Sequence, residues 1–261
     1  MPGRFTNLEF DDQEHVAEPP AVTLQGAENS IPDYLQSADD ARQWGRYEAA
    51  LRFYTRALQE ERSLVPAWVG QVQMLVQLDE CHEARVWSDK ALELFRNNGE
   101  LLAAKAQACA RLGDLGTALA CSDAALQSAG SSPWRWIARG DVLLARQQKY
   151  ADECFQKAVA EPGATWFERV VIARVYTHYR RFVNALQYLK EATQLEPTHG
   201  YGWFELGQCQ LALGFAPSAD DSFRRCLELR PDYAEAQKAL DTLSRGMTLS
   251  AWLRGLFRRR R

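Results

Sequence analysis

No apolar run in this chain approaches the roughly 18 residues that a bilayer-spanning helix requires. The amino terminus, MPGRFTNLEFDDQEH, lacks the basic-then-apolar order of a signal or transit peptide, so a cytoplasmic location is expected. Six cysteines occur, yet none forms a C-x-x-C pair. Cys81 and His82 are adjacent and would point apart on a helix, which removes the one Cys/His pair that might share a metal. Reduced thiols are expected. The four histidines, His15, His82, His178 and His199, are scattered. Phosphate-binding, dinucleotide, zinc-protease and nucleophile-elbow signatures are all missing. Carboxylates such as Asp39-Asp40 and Asp220-Asp221 are sequence neighbours that splay apart on a helix and make poor acid/base pairs. The chain is therefore read as non-catalytic, with no cofactor and no metal. Glycine (16) and proline (10) are too few for a linker or a collagen-like chain. A basic excess is absent as well: 31 Lys and Arg face 34 Asp and Glu, a net charge of −3, which argues against a nucleic-acid partner.

What the chain does have is a folded protein's composition, 46% hydrophobic and 25% charged over 261 residues, arranged with a period. Ala50, Ala84, Ala118, Ala151, Ala185 and Ala219 follow one another at intervals of 34 residues, with a single interval of 33. Seven residues after each stands Ala57, Ala91, Ala125, Ala158, Ala192 or Cys226. Upstream runs a bulky comb, Tyr34, Trp68, Leu102, Trp136, Arg169 and Trp203. Four residues beyond each of its teeth sits a small one: Ala38, Val72, Ala106, Gly140, Ala173 or Gly207. Loop signals separate the combs at Gly45, Gly113 and Gly214, and Pro66, Pro133, Pro162, Pro197 and Pro231 fall between units. The pattern predicts two short antiparallel helices per unit, with small residues where backbones approach and bulky ones filling the holes. One such hairpin cannot bury its apolar face alone, so the units must stack.

The pattern resembles the tetratricopeptide repeat, a helix–turn–helix unit of 34 residues. The sixth copy, GYGWFELGQCQLALGFAPSADDSFRRCLELRP, carries Trp203, Leu206-Gly207, Ala219, Phe223 and Pro231 in the signature places. The resemblance implies an all-α fold, a right-handed α-solenoid. Its six repeats are expected at 31–64, 65–98, 99–132, 133–165, 166–199 and 200–233. A capping helix at 234–246 closes the array against water. Three departures stand out. The fourth copy is one residue short near Gln147-Gln148, the fifth has Arg169 at the bulky position, and the third has Ser122 where an aromatic is usual. Cys109, Cys209 and Cys226 fall at packing positions, where a cysteine acts as a small hydrophobe.

The same resemblance implies a concave groove lined by the first helices, and hence a protein-interaction scaffold. In the first three copies the expected groove positions are small or polar, among them Asp39, Gly70, Gln73, Gln107 and Arg111. In the last three they turn aromatic and apolar: Trp134 and Ile137, Phe167 and Val170, Tyr201 and Phe204, with Asp141, Arg174 and Gln208 among them. Trp134, Phe167 and Tyr201 share one register. They are read as a possible ladder for a protein or peptide segment, the alternative being that the rings are packed and covered. Some relatives of this type hold a chaperone's terminal carboxylate with two Lys or Arg and two Asn; here the matching positions include Leu35, Asp39, Gly70, Glu100 and Ala104, so that clamp is absent.

Both ends differ from the body. Residues 1–30 carry six acids against Arg4, include Pro19-Pro20 and lack periodicity, so disorder is expected. Phe5, Leu8 and Phe10 beside Asp11 and Asp12 look like a short linear motif for the aromatic groove or the arginine tail, the alternative being a plain solvated tail. At 247–261, Leu249, Trp252, Leu253, Leu256 and Phe257 fall on one helical face, with Arg258, Arg259, Arg260 and Arg261 at its end. Such a helix suits an anionic membrane surface, the alternatives being docking on the array or on a protein partner, or a plain solvated tail; a membrane-peripheral adaptor is the alternative function.

Overall fold

The computed structural model describes residues 30–245, and each element in that span is a helix. The acidic amino-terminal segment and the expected tail helix, Leu249 to Arg261, lie outside the described residues. In chain order the helices are α1 (Ile31–Gln43), α2 (Tyr47–Glu60), α3 (Val65–Gln77), α4 (Cys81–Leu94), α5 (Gly99–Arg111), α6 (Leu115–Gln127), α7 (Pro133–Ala145), α8 (Ala151–Ala160), α9 (Trp166–His178), α10 (Phe182–Leu195), α11 (Gly200–Ala212) and α12 (Ala216–Leu229). A last helix, α13, covers 234–245. The fold class is all-α, an α-solenoid of helical repeats.

The helix starts are set by local chemistry. Pro32, Pro66, Pro133 and Pro217 occupy first-turn positions, where a missing N–H costs nothing. At α1 and α9 the third helical residue, Asp33 or Glu168, reaches back to the backbone N–H of Ser30 or Thr165. The ends of α1, α3, α5, α7, α9 and α11 are closed in one way. Gly45, Asp79, Gly113, Gln147, Arg180 and Gly214 all have φ between +56° and +83°. Each donates its N–H three residues back, and the following residue donates five back, over 2.8 to 3.1 Å. This is the Schellman closure, which satisfies the last carbonyls of a helix and turns the chain sharply. Only three of the six positions are glycine, so the turn was visible in sequence at three and hidden at the rest.

The described residues fall into two compact units that divide after Cys154. In the first, α1–α2, α3–α4 and α5–α6 pack as hairpins, successive hairpins touch through α2·α3 and α4·α5, and α7 joins against α5 and α6. In the second, α9–α10 and α11–α12 are the hairpins, joined through α10·α11. The small-residue combs are the contact points: Ala50, Ala84, Ala118, Ala185, Ala219, Ala57, Ala91, Ala125, Ala158, Ala192 and Cys226 are all 0% exposed, and Ala151 is 2% exposed. At Gly70 a methyl group would meet the Tyr54 ring at 2.3 Å, and at Gly207 it would meet the Phe223 ring at 2.6 Å. These glycines are there because an aromatic from a second helix lies flat on the first.

Two of the three departures from the repeat pattern meet new polar partners. Ser122 is buried, accepts 2.7 Å from Arg139 of α7, and donates to the Leu119 carbonyl. Arg139 also pairs with Asp123 at 2.6 Å, so a guanidinium from the next helix occupies the place of the absent ring. Arg169 lays its stem inward and pairs with Glu191 of α10 at 3.6 Å. The missing residue of the fourth copy falls in the link 146–150, and α8, at 10 residues, is the shortest of the helices α1 to α12.

Candidate binding surface

The first helices of unit one present a cleft of about 450 Å³. Leu35, Val65, Pro66 and Val69 form its apolar walls, and Asp39, Gln73 and Glu100 bring polar groups to it. Asp39 accepts a 3.0 Å hydrogen bond from the Tyr54 hydroxyl and pairs with Arg42 at 3.2 Å, while its side chain remains 49% exposed. Burial pushes the Tyr54 hydroxyl far above its usual range, so it stays a donor to Asp39. Glu100 is held from the other side. It accepts from Ser132 Oγ and from Arg135 Nε, each at 2.8 Å. Arg135 in turn donates to the carbonyls of Ser128, Ala129 and Gly130, closing the end of α6. It passes over Gly99, where a methyl would sit 2.3 Å from the guanidinium carbon.

Further along the same unit the first-helix face is shut. Asp141 of α7 is 0% exposed and takes hydrogen bonds from Gln107 Nε2 at 2.9 Å and from Arg111 Nη2 at 3.2 Å. Arg111 also donates to the Val76 carbonyl at 2.9 Å. The three helices α3, α5 and α7 are thus tied by one buried polar chain. A charge removed from water in this way is tolerated only because its partners converge on it.

The residues expected at a groove in the later copies divide by unit. In unit one, Trp134 and Ile137 are buried beside the paired Asp141. In unit two, Phe167, Val170 and Tyr201 are buried, Arg174 and Phe204 are half-buried, and Gln208 is exposed. Arg174 meets Glu205 at 2.7 Å, and Glu205 also accepts from the Tyr201 hydroxyl at 2.5 Å. Phe204 lies 5.9 Å from Phe223 and 5.1 Å from Tyr233. Periodicity placed these residues on the first-helix face. It could not show how far the next first helix covers that face: α5 touches both α3 and α7, and α9 touches α11. Tyr54 was missed as a cleft residue because it sits on a second helix; the signal was Gly70, a first-helix glycine with no turn to explain it.

No group of three or more His, Cys, Asp or Glu could hold a metal ion among the described residues. Burial pushes the thiols of Cys81 and Cys226 up to about 12 and those of Cys109 and Cys209 up to about 11, so they remain protonated near neutral pH. No helix of the described residues is long and apolar enough to cross a membrane.

No family model matches the chain. It is 31% identical over 164 residues to mouse Superkiller complex protein 3, an overlap covering 61% of this chain and 10% of that protein. The chain spans about a tenth of the length of the curated relatives it matches. Among solved structures, a tetratricopeptide repeat protein from Parabacteroides merdae is similar with a TM-score of 0.50 and 15% identity, covering 82% of this chain and 84% of that one. A human IFIT1 dimer with PPP-AAAA gives a TM-score of 0.50 and 17% identity, covering 88% and 67%.

Proposed function

We propose, on the premise that this chain is a tetratricopeptide-type helical array, that it is a non-catalytic scaffold gripping a protein segment in the cleft of α1, α3 and α5. One observation carries the reading. Among the first-helix positions of unit one this stretch stays open, with apolar walls, two carboxylates and Arg42 beside Asp39, while the positions from Gln107 to Asp141 are closed by their own polar network. An extended segment with an apolar side chain next to a lysine or arginine fits such a lining. Arg174, Phe204 and Gln208 are the members of the expected aromatic stretch in unit two that a partner could reach. The PPP-AAAA of the human neighbour is that protein's ligand. Here the cleft's one cation, Arg42, is already held against Asp39 with Glu100 beside it, so no basic stripe awaits phosphate, which supports a protein rather than a nucleic-acid occupant.

The test is capture of partners from the source cells with the full chain and with Leu35→Arg/Val69→Arg, whose partly exposed positions tolerate charge. Partners should be retained by the parent, and their basic-apolar peptides should bind the variant at least tenfold more weakly at an unchanged helical signal. Identical capture by both proteins overturns the cleft. Co-sedimentation with anionic vesicles that is lost on deleting 247–261 supports the membrane-peripheral reading instead, since that segment combines Trp252, Leu253 and Phe257 with a run of arginines. Trp134 and Tyr201 are unsuited to this test, because truncating a buried ring costs about 3–5 kcal/mol of packing whatever it binds.

A further inference from the structure

A second cavity in unit one, about 540 Å³, is unlike the first. Its apolar lining is Trp68, Leu94 and Phe95, and its rim carries Arg62 and Lys90 against the single acid Glu93. Trp68 is fixed, its indole N–H donating 2.9 Å to the Arg62 carbonyl and its ring 6.0 Å from Trp87. Lys90 stands 4.5 Å over the Trp87 ring. Among the described residues of this unit, Leu94, at 61% exposed, is the most exposed large hydrophobic after Tyr150.

We infer that this basic-rimmed hollow is the docking site of the chain's own amino-terminal motif, Phe5 to Asp12. Charge selects the occupant. The motif offers Phe5, Leu8 and Phe10 to the apolar lining, and Glu9, Asp11 and Asp12 to Arg62 and Lys90. The cleft of α1, α3 and α5 sets its single cation, Arg42, against Asp39 and adds Glu100, so it offers the acidic motif no basic rim. Connectivity makes the docking feasible. α1 and α2 are antiparallel, so Ser30 lies at the end where α2 stops and α3 begins, which is the end that holds Arg62 and Trp68. The end of α4, with Leu94, packs back to that end. Two or three helix widths are about 30 Å, and the 18 residues from Asp12 to Ser30 can reach about 60 Å. The tether therefore suffices without strain, and it keeps the motif at high local concentration.

Hydrogen exchange on the full chain tests this. In Phe5→Ala/Leu8→Ala/Phe10→Ala, backbone amides at 61–64 and 94–97 should exchange at least threefold faster, with the other helices unchanged. Arg62→Glu/Lys90→Glu should do the same. Adding Glu9→Lys/Asp11→Lys/Asp12→Lys to that pair should restore slow exchange, which a merely structural role for Arg62 and Lys90 would not give. Equal exchange in parent and triple-alanine protein overturns the inference. So does a concentration-dependent dimer that the triple-alanine change dissolves, because the motif would then dock on a second copy.

Discussion

At Gly70 and Gly116 the same substitution should have opposite signs. A methyl at Gly70 runs into the Tyr54 ring, which is buried and anchored by its hydroxyl on Asp39, so the ring cannot retreat. Gly70→Ala is expected to lower stability by about 1–2 kcal/mol net of the helix-propensity gain. Gly116 has open space where its methyl would go, and Gly116→Ala should raise stability by up to about 1 kcal/mol. Urea unfolding of both variants decides the matter. His199 gives a pH signature. Burial pushes its imidazole down to about 4, with Glu196 opposing weakly, and its ring lies 4.4 Å from that of Trp166. The folded protein holds it neutral while the unfolded chain protonates it near 6.5, so its stabilisation is complete above pH 6.5 and is lost as pH falls toward 4. The urea midpoint should drop between pH 7 and 5, and His199→Gln should flatten that drop. Residue identity foretold small, buried positions well and polar ones poorly. Asp141 reads in sequence as a polar group of the groove, and only the arrival of Arg111 and Gln107 from α5 makes its burial bearable.

At the scale of the element, the Schellman closures set the hairpin geometry and leave a test. Gln147 and Arg180 are exposed non-glycine residues held at φ +56° and +58°, a region that costs an ordinary side chain about 1 kcal/mol or more. Gln147→Gly and Arg180→Gly should each raise the unfolding midpoint, by up to about 1 kcal/mol in stability. Asp79→Gly should gain less, since Asp79 also faces Arg111 at 3.8 Å. A loss in the first two variants would show that their side chains stabilise the turn. The helices themselves were legible because small residues recur every 34 positions. The turns were half legible, because backbone geometry demands the left-handed residue and the sequence supplies a visible glycine only at 45, 113 and 214.

For the molecule as a whole, the period announced the architecture, but the period alone does not say which stretch of a repeated face is open. Leu35 and Val69 of the open cleft hold the same register as Ile137 and Val170, which are fully buried. The difference comes from what the neighbouring repeat sends across. The helices in strong contact are neighbours or next-but-one along the chain. The loops that must close during folding are accordingly short, about one period at most, and their entropy cost is paid in small instalments. Injury is confined by the same token: a broken hairpin deprives only the hairpins beside it of support, and the rest of its unit keeps its contacts.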